Sequence, residues 1–429
     1  MRFPVAFPRT RIHPVLAMFG CALLYRVAVG IHFLLIGGIT YQWTNEIAAI
    51  ARSLVLRHAF AGAYSGYSGP TAWAAPVYPS LVAAVFWLFG VNNQASALIL
   101  LLLNVILSSA TALVIYQLGR DYLSERVGLV AGWAWALSPV GVLMPLLLWD
   151  TSLSAFMLSL SLLVFLRSNS VRQCAGAGAL WGASALVSPA LLAPLPAMLV
   201  SRLWKVSTRL KLGLVFCLAL VLALVPWSIR NREILHAVFP VRSNGWAEIY
   251  FGNVTFALHP CASPTGLYQK IGETQFVAQL KQETIQYITN HPGQFVWRSL
   301  GRAIRFWLVP FNFLPLTLIL TLCCWAGAVL LLRNVGTRAL PMLSMLMFYP
   351  VVYYVTHIEA RYRHPIEPVI YLLAAYAACR LFDRCKEWFR KSQAQENVEQ
   401  VTTPNENAAI ISKPCKVPFT GDDILVIRH

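Results

Sequence analysis

Charge is the scarcest thing in this sequence. Asp, Glu, Lys and Arg make up 12% of the chain, against about a quarter in soluble domains. That density cannot cover a water-facing surface, so a soluble chain of two or three domains is excluded despite a suitable length. Acidic residues are scarcer still, 17 against 34 Lys and Arg. The basic excess comes with no RNA- or DNA-binding pattern, and membrane proteins gather positive charge in cytoplasmic loops and near anionic headgroups anyway. Nucleic acid is therefore not an expected partner. The nine Cys include no Cys-x-x-Cys pair, and Cys21, Cys174, Cys217, Cys323, Cys324 and Cys379 sit in apolar runs. Small buried hydrophobes fit that placement; a metal centre or disulfide framework does not. No internal repeat of fixed period is present, which counts against an inverted-repeat transporter.

What the chain has in abundance is apolar sequence: 58% of residues are hydrophobic and the mean hydropathy is +0.61. Runs approaching the roughly 20 residues of a spanning helix cover 15–37, 95–117, 127–148, 151–166, 174–187, 189–203, 210–228, 312–332, 339–356 and 365–382. The first is too long for a signal-peptide core and has no clean small-residue cleavage site, so it reads as a retained helix. The short fifth and sixth runs meet at Ser188-Pro189, a turn between tilted helices. The fold class expected is an all-α polytopic membrane protein of about ten spanning helices.

One segment, 71–94, is apolar enough to span but carries two early prolines and no flanking charge. Counting it as a span would put Arg202, Lys205, Arg209 and Lys211 outside. Leaving it as a helix on the outer face keeps the basic short loops inside: Arg120 with Arg126, Arg167 with Arg172, and Arg333 with Arg338. The N-terminal Arg2, Arg9 and Arg11 join them, as do Arg384, Lys386, Arg390 and Lys391, leaving Arg52, Arg57, Arg361 and Arg363 outside. The positive-inside rule selects this arrangement, with both termini cytoplasmic. Two long outer loops follow, 38–94 and 229–311, and loops of such length are usually functional. The second holds a predicted helix at 272–289. The polar segment from Ser392 reads as a flexible cytoplasmic tail, so the expected division is a membrane domain at 1–383 and a tail at 384–429.

The remaining ionisable residues gather on the outer side: Glu46, Asp150, Arg230, Arg232, Glu233, Glu359, Arg361, Arg363 and Glu367. Arginine binds phosphate in a bidentate fork and stays charged, while a partly desolvated carboxylate can take a proton. That pairing suits chemistry on an anionic lipid headgroup. Each residue also has a plainer role open to it. Arg230 and Arg232 could anchor a helix end, Asp150 could cap the helix at 151–166, and Glu46 could sit on an amphipathic surface helix at 45–56. For Arg361 and Arg363, on the side the charge rule disfavours, ligand binding is preferred to anchoring. Arg26 and His32, inside the first span, read as polar contacts facing the bundle. Tyr64, Tyr67, Trp73, Tyr78, Trp246 and Tyr250 could stack on sugars, although most suit the aromatic belt of a membrane interface.

Taken in order, TNEIAAIARSL, GPTAWAAPVYPSLVAAVFWLFG, LGRDYLSERVGLVAGWAWALSP, Asp150, VPWSIRNREI, FPVRSNGWAEIYFGN and RYRHPIEPVIYLLAAYA resemble the GT-C superfamily of membrane glycosyltransferases. The likeness is to the branch of protein mannosyltransferases and the lipid A aminoarabinose transferase (glycosyltransferase family 39-like), and it covers 17–382. It implies a GT-C fold and inverting transfer of a sugar from a polyprenyl-phosphate donor at the extracytoplasmic face. The acceptor is a protein, a lipid or a glycan. By this resemblance Glu46 matches the base in the first outer loop, where Asn45-Glu46 replaces the family's more usual acidic pair. Asp150 matches the acidic residue of the second outer loop, on the acceptor or metal side. Arg361 and Arg363, with Arg230 the weaker match, correspond to ligands of the donor phosphate. No cofactor is fixed; metal need varies across the superfamily, so a divalent metal ion stays open. Membrane lipids are expected partners and a bacterial inner membrane the expected location. The competing functions are a lipid-linked-glycan transporter, ligase or polymerase, or an inactive scaffold. A transporter should carry paired charges near the bilayer midplane, where the sequence shows little beyond Arg26 and His32.

Overall fold

The computed structural model describes residues 12–36, 43–64, 69–203, 207–255, 265–308 and 314–402. Arg2, Arg9, Arg11, Tyr67, Lys205 and the chain beyond Thr402 lie outside the described residues. Among the described residues the only extended pairing is a single antiparallel bridge, Ala61 with Pro70; everything else regular is helix. The chain divides into two compact units, Met1–Cys379 and Arg380–His429. The second begins inside the last helix, which runs on to Thr402, so the polar segment from Ser392 is helical over its first part.

The first unit opens with α1 (Ile12–Leu35), followed by two short helices of the first long loop, α2 (Glu46–Arg57) and α3 (Val77–Phe89). At 13 residues α3 rises about 20 Å, short of the ~30 Å hydrocarbon thickness, so it is no spanning helix. Then come α4 (Gln94–Tyr122), α5 (Glu125–Ala136), α6 (Pro139–Leu143), α7 (Thr151–Arg167), α8 (Val171–Val187), α9 (Leu195–Leu203) and α10 (Ser207–Leu235). The second long loop folds into α11 (Gly245–Asn253), α12 (Thr265–Ile271), α13 (Glu273–Asn290) and α14 (Pro292–Leu308). The bundle closes with α15 (Leu314–Val335), α16 (Leu340–Phe348), α17 (Val351–Val355) and α18 (Glu367–Thr402). The helix predicted at 272–289 is α13.

Among the described residues, five helical stretches are long and apolar enough to cross a membrane, or six if a bent pair counts as one span. The ten apolar runs do not map one to one onto these, because several form helices too short for the test and the stretch Pro315–Val355 takes in two of them. The protein is an integral, multi-pass membrane protein.

The bent pair shows how such a break is tolerated. The run at 127–148 was expected to be one span, but it turns by 51° between α5 and Pro139–Leu146. Pro139 cannot continue a hydrogen-bond ladder, and Ser138 restarts the helix by accepting from Gly141 N at 3.0 Å. Carbonyls on both sides of the break are met by the buried Arg26 of α1. Its guanidinium donates to Trp135 O (3.0 Å), Ala136 O (2.8 Å), Gly141 O (3.0 Å) and Ser108 Oγ (2.9 Å). Arg26 is thus the bundle-facing contact expected of it, while His32 is exposed. The interior holds more polar groups than hydropathy reveals: Arg363, His364 and Glu367 are also buried, with His364 Nδ1 2.8 Å from Glu367 Oε2.

Close helix contact comes from small residues, as is usual where lipid supplies no hydrophobic drive between helices. Gly178 and Gly182 of α8 face α10. A Cβ at Gly178 would lie 2.1 Å from Phe216 O, and one at Gly182 2.6 Å from Ala223 Cβ. Gly178→Ala is therefore expected to lower the thermal midpoint in detergent, by a destabilisation of about 1–3 kcal/mol. Gly176→Ala on the same helix meets open space and should leave the midpoint unchanged; equal midpoints for both variants would refute the contact.

Candidate active site

The polar cavity of the first unit is built by segments far apart in sequence. Asn45 caps α2, accepting from Ala48 N at 2.9 Å, and its amide donates to Leu148 O at 3.0 Å. A carboxylate at this position could cap equally well but has no N–H to offer Leu148. Asn45 therefore ties the start of α2, where Glu46 sits, to the turn carrying Asp150. Asp150 occupies the N-cap position of α7 without making a side-chain cap bond. Its carboxylate takes a long, 3.4 Å contact from Ser154 Oγ and lines the cavity.

That cavity has a volume of about 180 Å³. Glu46, Asp150 and Arg361 line it together with Arg242, Glu248 and His357, and with Trp149, Tyr353 and Tyr362 as aromatic walls. Arg361 lies face-on to Trp149, 3.5 Å from the ring centroid, and pairs with Glu359. Arg242 donates to Trp73 O at 2.9 Å. Asn244 Nδ2 donates to Glu248 Oε1 at 2.5 Å. Burial pushes the Glu46 carboxyl above its ordinary value, although the neighbouring Arg242 and Arg361 pull it back in part. Asp150 is raised for the same reason and opposed by the same two arginines. Glu359 goes the other way: burial would raise it, but the adjacent His357 and the Arg361 guanidinium bring it down to about 2.

Arg363 and Arg230 do not join this cluster. Arg363 is buried and donates to Trp307 O (3.1 Å) and Thr321 Oγ1 (3.1 Å). Arg230 donates to Thr71 O (2.7 Å) and Phe60 O (2.8 Å), with its guanidinium over Trp227. Arg242, Glu248 and His357 were not singled out from the sequence. The signal available for the first two was their presence in FPVRSNGWAEIYFGN, a charged island within a charge-poor chain.

A second cavity of about 890 Å³ adjoins the first and shares Arg242, Gly245, Val352 and Thr356 with it. Its walls are mostly apolar, including Val238, Phe239, Trp246, Val277, Phe348 and Val351, with Lys281 its other cation. Lys281 Nζ sits 5.5 Å from the Trp246 ring centroid. Among the described residues no three His, Cys, Asp or Glu side chains converge to hold a metal ion.

No family model matches the sequence, and no curated protein does. Solved structures do match. The archaeal oligosaccharyltransferase AglB from Archaeoglobus fulgidus, in complex with an inhibitory peptide and a dolichol-phosphate, aligns over 90% of this chain and 52% of its own, at 15% identity and a TM-score of 0.56. The same organism's enzyme with Zn and sulfate aligns over the same shares at 15% identity and a TM-score of 0.53. ArnT from Cupriavidus metallidurans bound to undecaprenyl phosphate aligns over 89% of this chain and 66% of its own, with 17% identity, but its TM-score of 0.47 is too low to build on. The chain spans about half the length of the oligosaccharyltransferases it matches. At such identities what is shared is the fold: the chain has the all-α, multi-pass membrane fold seen in these oligosaccharyltransferase structures.

Proposed function

We propose that the protein is a membrane glycosyltransferase that moves a sugar from a polyprenyl-phosphate donor to an acceptor at the extracytoplasmic face, with inversion. What supports this most is one observation: two raised carboxylates, Glu46 and Asp150, share a small cavity with two arginines, Arg242 and Arg361. An inverting displacement needs such a division. The acceptor hydroxyl attacks the anomeric carbon while Glu46 takes its proton. The bond from that carbon to the phosphate oxygen breaks, and the lipid phosphate leaves with its electron pair. Arg361 and Arg242 stabilise the charge that develops there, an effect strongest where water is excluded. Asp150 orients the acceptor. Arg363 and Arg230, bonded to carbonyls elsewhere, keep structural roles. The adjoining apolar cavity suits the hydrocarbon of the donor, so that its head enters the polar cavity while its chain stays in lipid. A bacterial inner membrane, with both termini cytoplasmic, is the location we assign.

The test is transfer from radiolabelled polyprenyl-phosphate sugars by the purified chain in detergent with added lipid. Arg361→Ala should lower donor affinity at least about tenfold, the scale of a charge-assisted hydrogen bond of 1.5–3 kcal/mol. Arg363→Met is expected to reduce the amount of folded protein rather than the affinity of what remains. Native affinity in Arg361→Ala would refute the phosphate assignment. Donor binding by the native chain with no transfer to any acceptor would point instead to transport or scaffolding.

A further inference from the structure

The groups that surround Arg361 form a chain that the scheme above leaves unused. Glu359 bonds the guanidinium directly, and Tyr362 Oη lies 3.4 Å from Arg361 Nη2. Both of these partners meet the same third side chain. His357 Nε2 is 2.8 Å from Tyr362 Oη and 3.8 Å from Glu359 Oε1. Its Nδ1 faces Glu248 Oε2 of α11 at 3.2 Å. His357 is 4% exposed, and Nδ1 makes no hydrogen bond despite that burial. Tyr362 is further fixed by stacking on Tyr353, at 4.5 Å and 17°.

The backbone around His357 is equally constrained. Gly252 of α11 comes so close to Thr356 that a Cβ there would lie 1.9 Å from Thr356 O. Asn253 Nδ2 donates to Val355 O at 2.8 Å. Arg302 of α14 completes the seam, donating to Gly252 O (2.8 Å) and Tyr354 O (2.7 Å). Glu248 and His357 therefore sit on segments locked together, and Arg361 hangs from them by two contacts.

We propose that His357 is the positioning residue of the phosphate site, holding Arg361 through Tyr362 and Glu359. This rests on the lipid-phosphate assignment above. The physical reason is directional. A guanidinium binds phosphate as a planar fork, and one face of Arg361 is already committed to Trp149. Only a narrow range of tilts leaves its N–H groups aimed into the cavity, and a misplacement of 1 Å can cost about 10²-fold. His357 fixes that tilt without touching the ligand.

The experiment measures binding of polyprenyl phosphate, without sugar, to the full chain in detergent. His357→Ala should weaken it by up to about 10²-fold, and His357→Gln, which can still bond Tyr362, should recover part of the loss. In an Arg361→Lys background His357→Ala should add nothing further, since its effect runs through the guanidinium. A merely structural histidine would lower the melting midpoint and weaken binding equally in both backgrounds. Additive losses, or native affinity in His357→Ala, overturn the proposal. Should His357→Ala fail to fold, Tyr362→Phe in the same two backgrounds carries the same expectation, and additivity there overturns it too. A native chain that binds polyprenyl phosphate but transfers no sugar refutes the transferase function alone, because the coupling is read on binding. A native chain that does not bind it overturns both.

Discussion

Glu46→Gln is expected to cut sugar transfer by about 10²–10⁴-fold, the contribution of a positioned base, with affinity for polyprenyl phosphate retained. Glutamine keeps the shape and the start of α2 but cannot accept the acceptor's proton. The pH profile of the native chain carries the second signature. Burial lifts the Glu46 carboxyl above its ordinary value, and the base must be ionised to act. Activity should therefore fall on the acid side through that raised value, closer to neutrality than an ordinary carboxylate would give. The folded state favours protonated Glu46, so the stability this brings at low pH is lost as pH rises through the raised value. Glu46→Gln should accordingly be at least as stable as the native chain at neutral pH while being far slower. A mutant that transfers at the native rate would move the base elsewhere, with Asp150 the next carboxylate in the cavity.

A loss of similar weight, but of the fold, is expected for Arg26→Met. The substitution keeps much of the apolar stem and removes the guanidinium, taking from Ala136 O the donor that reaches it, while Trp135 O keeps Ser138 N and Gly141 O keeps Ser108 Oγ. Each unsatisfied buried group costs about 1–3 kcal/mol, and relief from burying a charge gives part of that back. A net destabilisation of roughly 2 kcal/mol should appear as a clearly lower thermal midpoint. Ser108→Ala, which removes one weaker contact of the same network, should do the same on a smaller scale. A midpoint unchanged in Arg26→Met would mean that the break at Ser138-Pro139 needs no donor from α1.

The carboxylates were legible because the chain is so poor in charge. Glu46 and Asp150 interrupt apolar surroundings, and the structure brings both into one cavity. Arg361 stood out for the side of the membrane that the charge rule gave it, yet the same logic could not separate it from Arg363. The segment Ala360–Ile366 is a 3₁₀ turn with three residues per turn, so residues two apart point about 120° away from each other. One enters the cavity and the other the bundle. Arg242 and Glu248 were missed because charges in a long polar loop attract no notice, and His357 because a histidine adds nothing to a formal charge count. The helix α14 also went unread. Its apolar residues Val296, Trp297, Leu300 and Ile304 are exposed while Arg302 is buried, the reverse of what a soluble amphipathic helix presents. A membrane surface would accommodate that pattern, and a search for continuous apolar runs passes over it. The same holds for Asn45, whose value lies in an amide hydrogen bond across 103 positions.

The apolar cavity has walls that belong partly to exposed residues of a spanning stretch, Phe348 and Val351. A substrate entering there arrives sideways, from a two-dimensional fluid rather than from water. Its concentration is then a mole fraction of the bilayer, and saturation should be reached at a fixed ratio of donor to total lipid, whatever the volume of buffer. Adding inert phospholipid at constant donor and protein should slow the reaction as surely as removing donor, and a bilayer too stiff for lateral diffusion should slow it further.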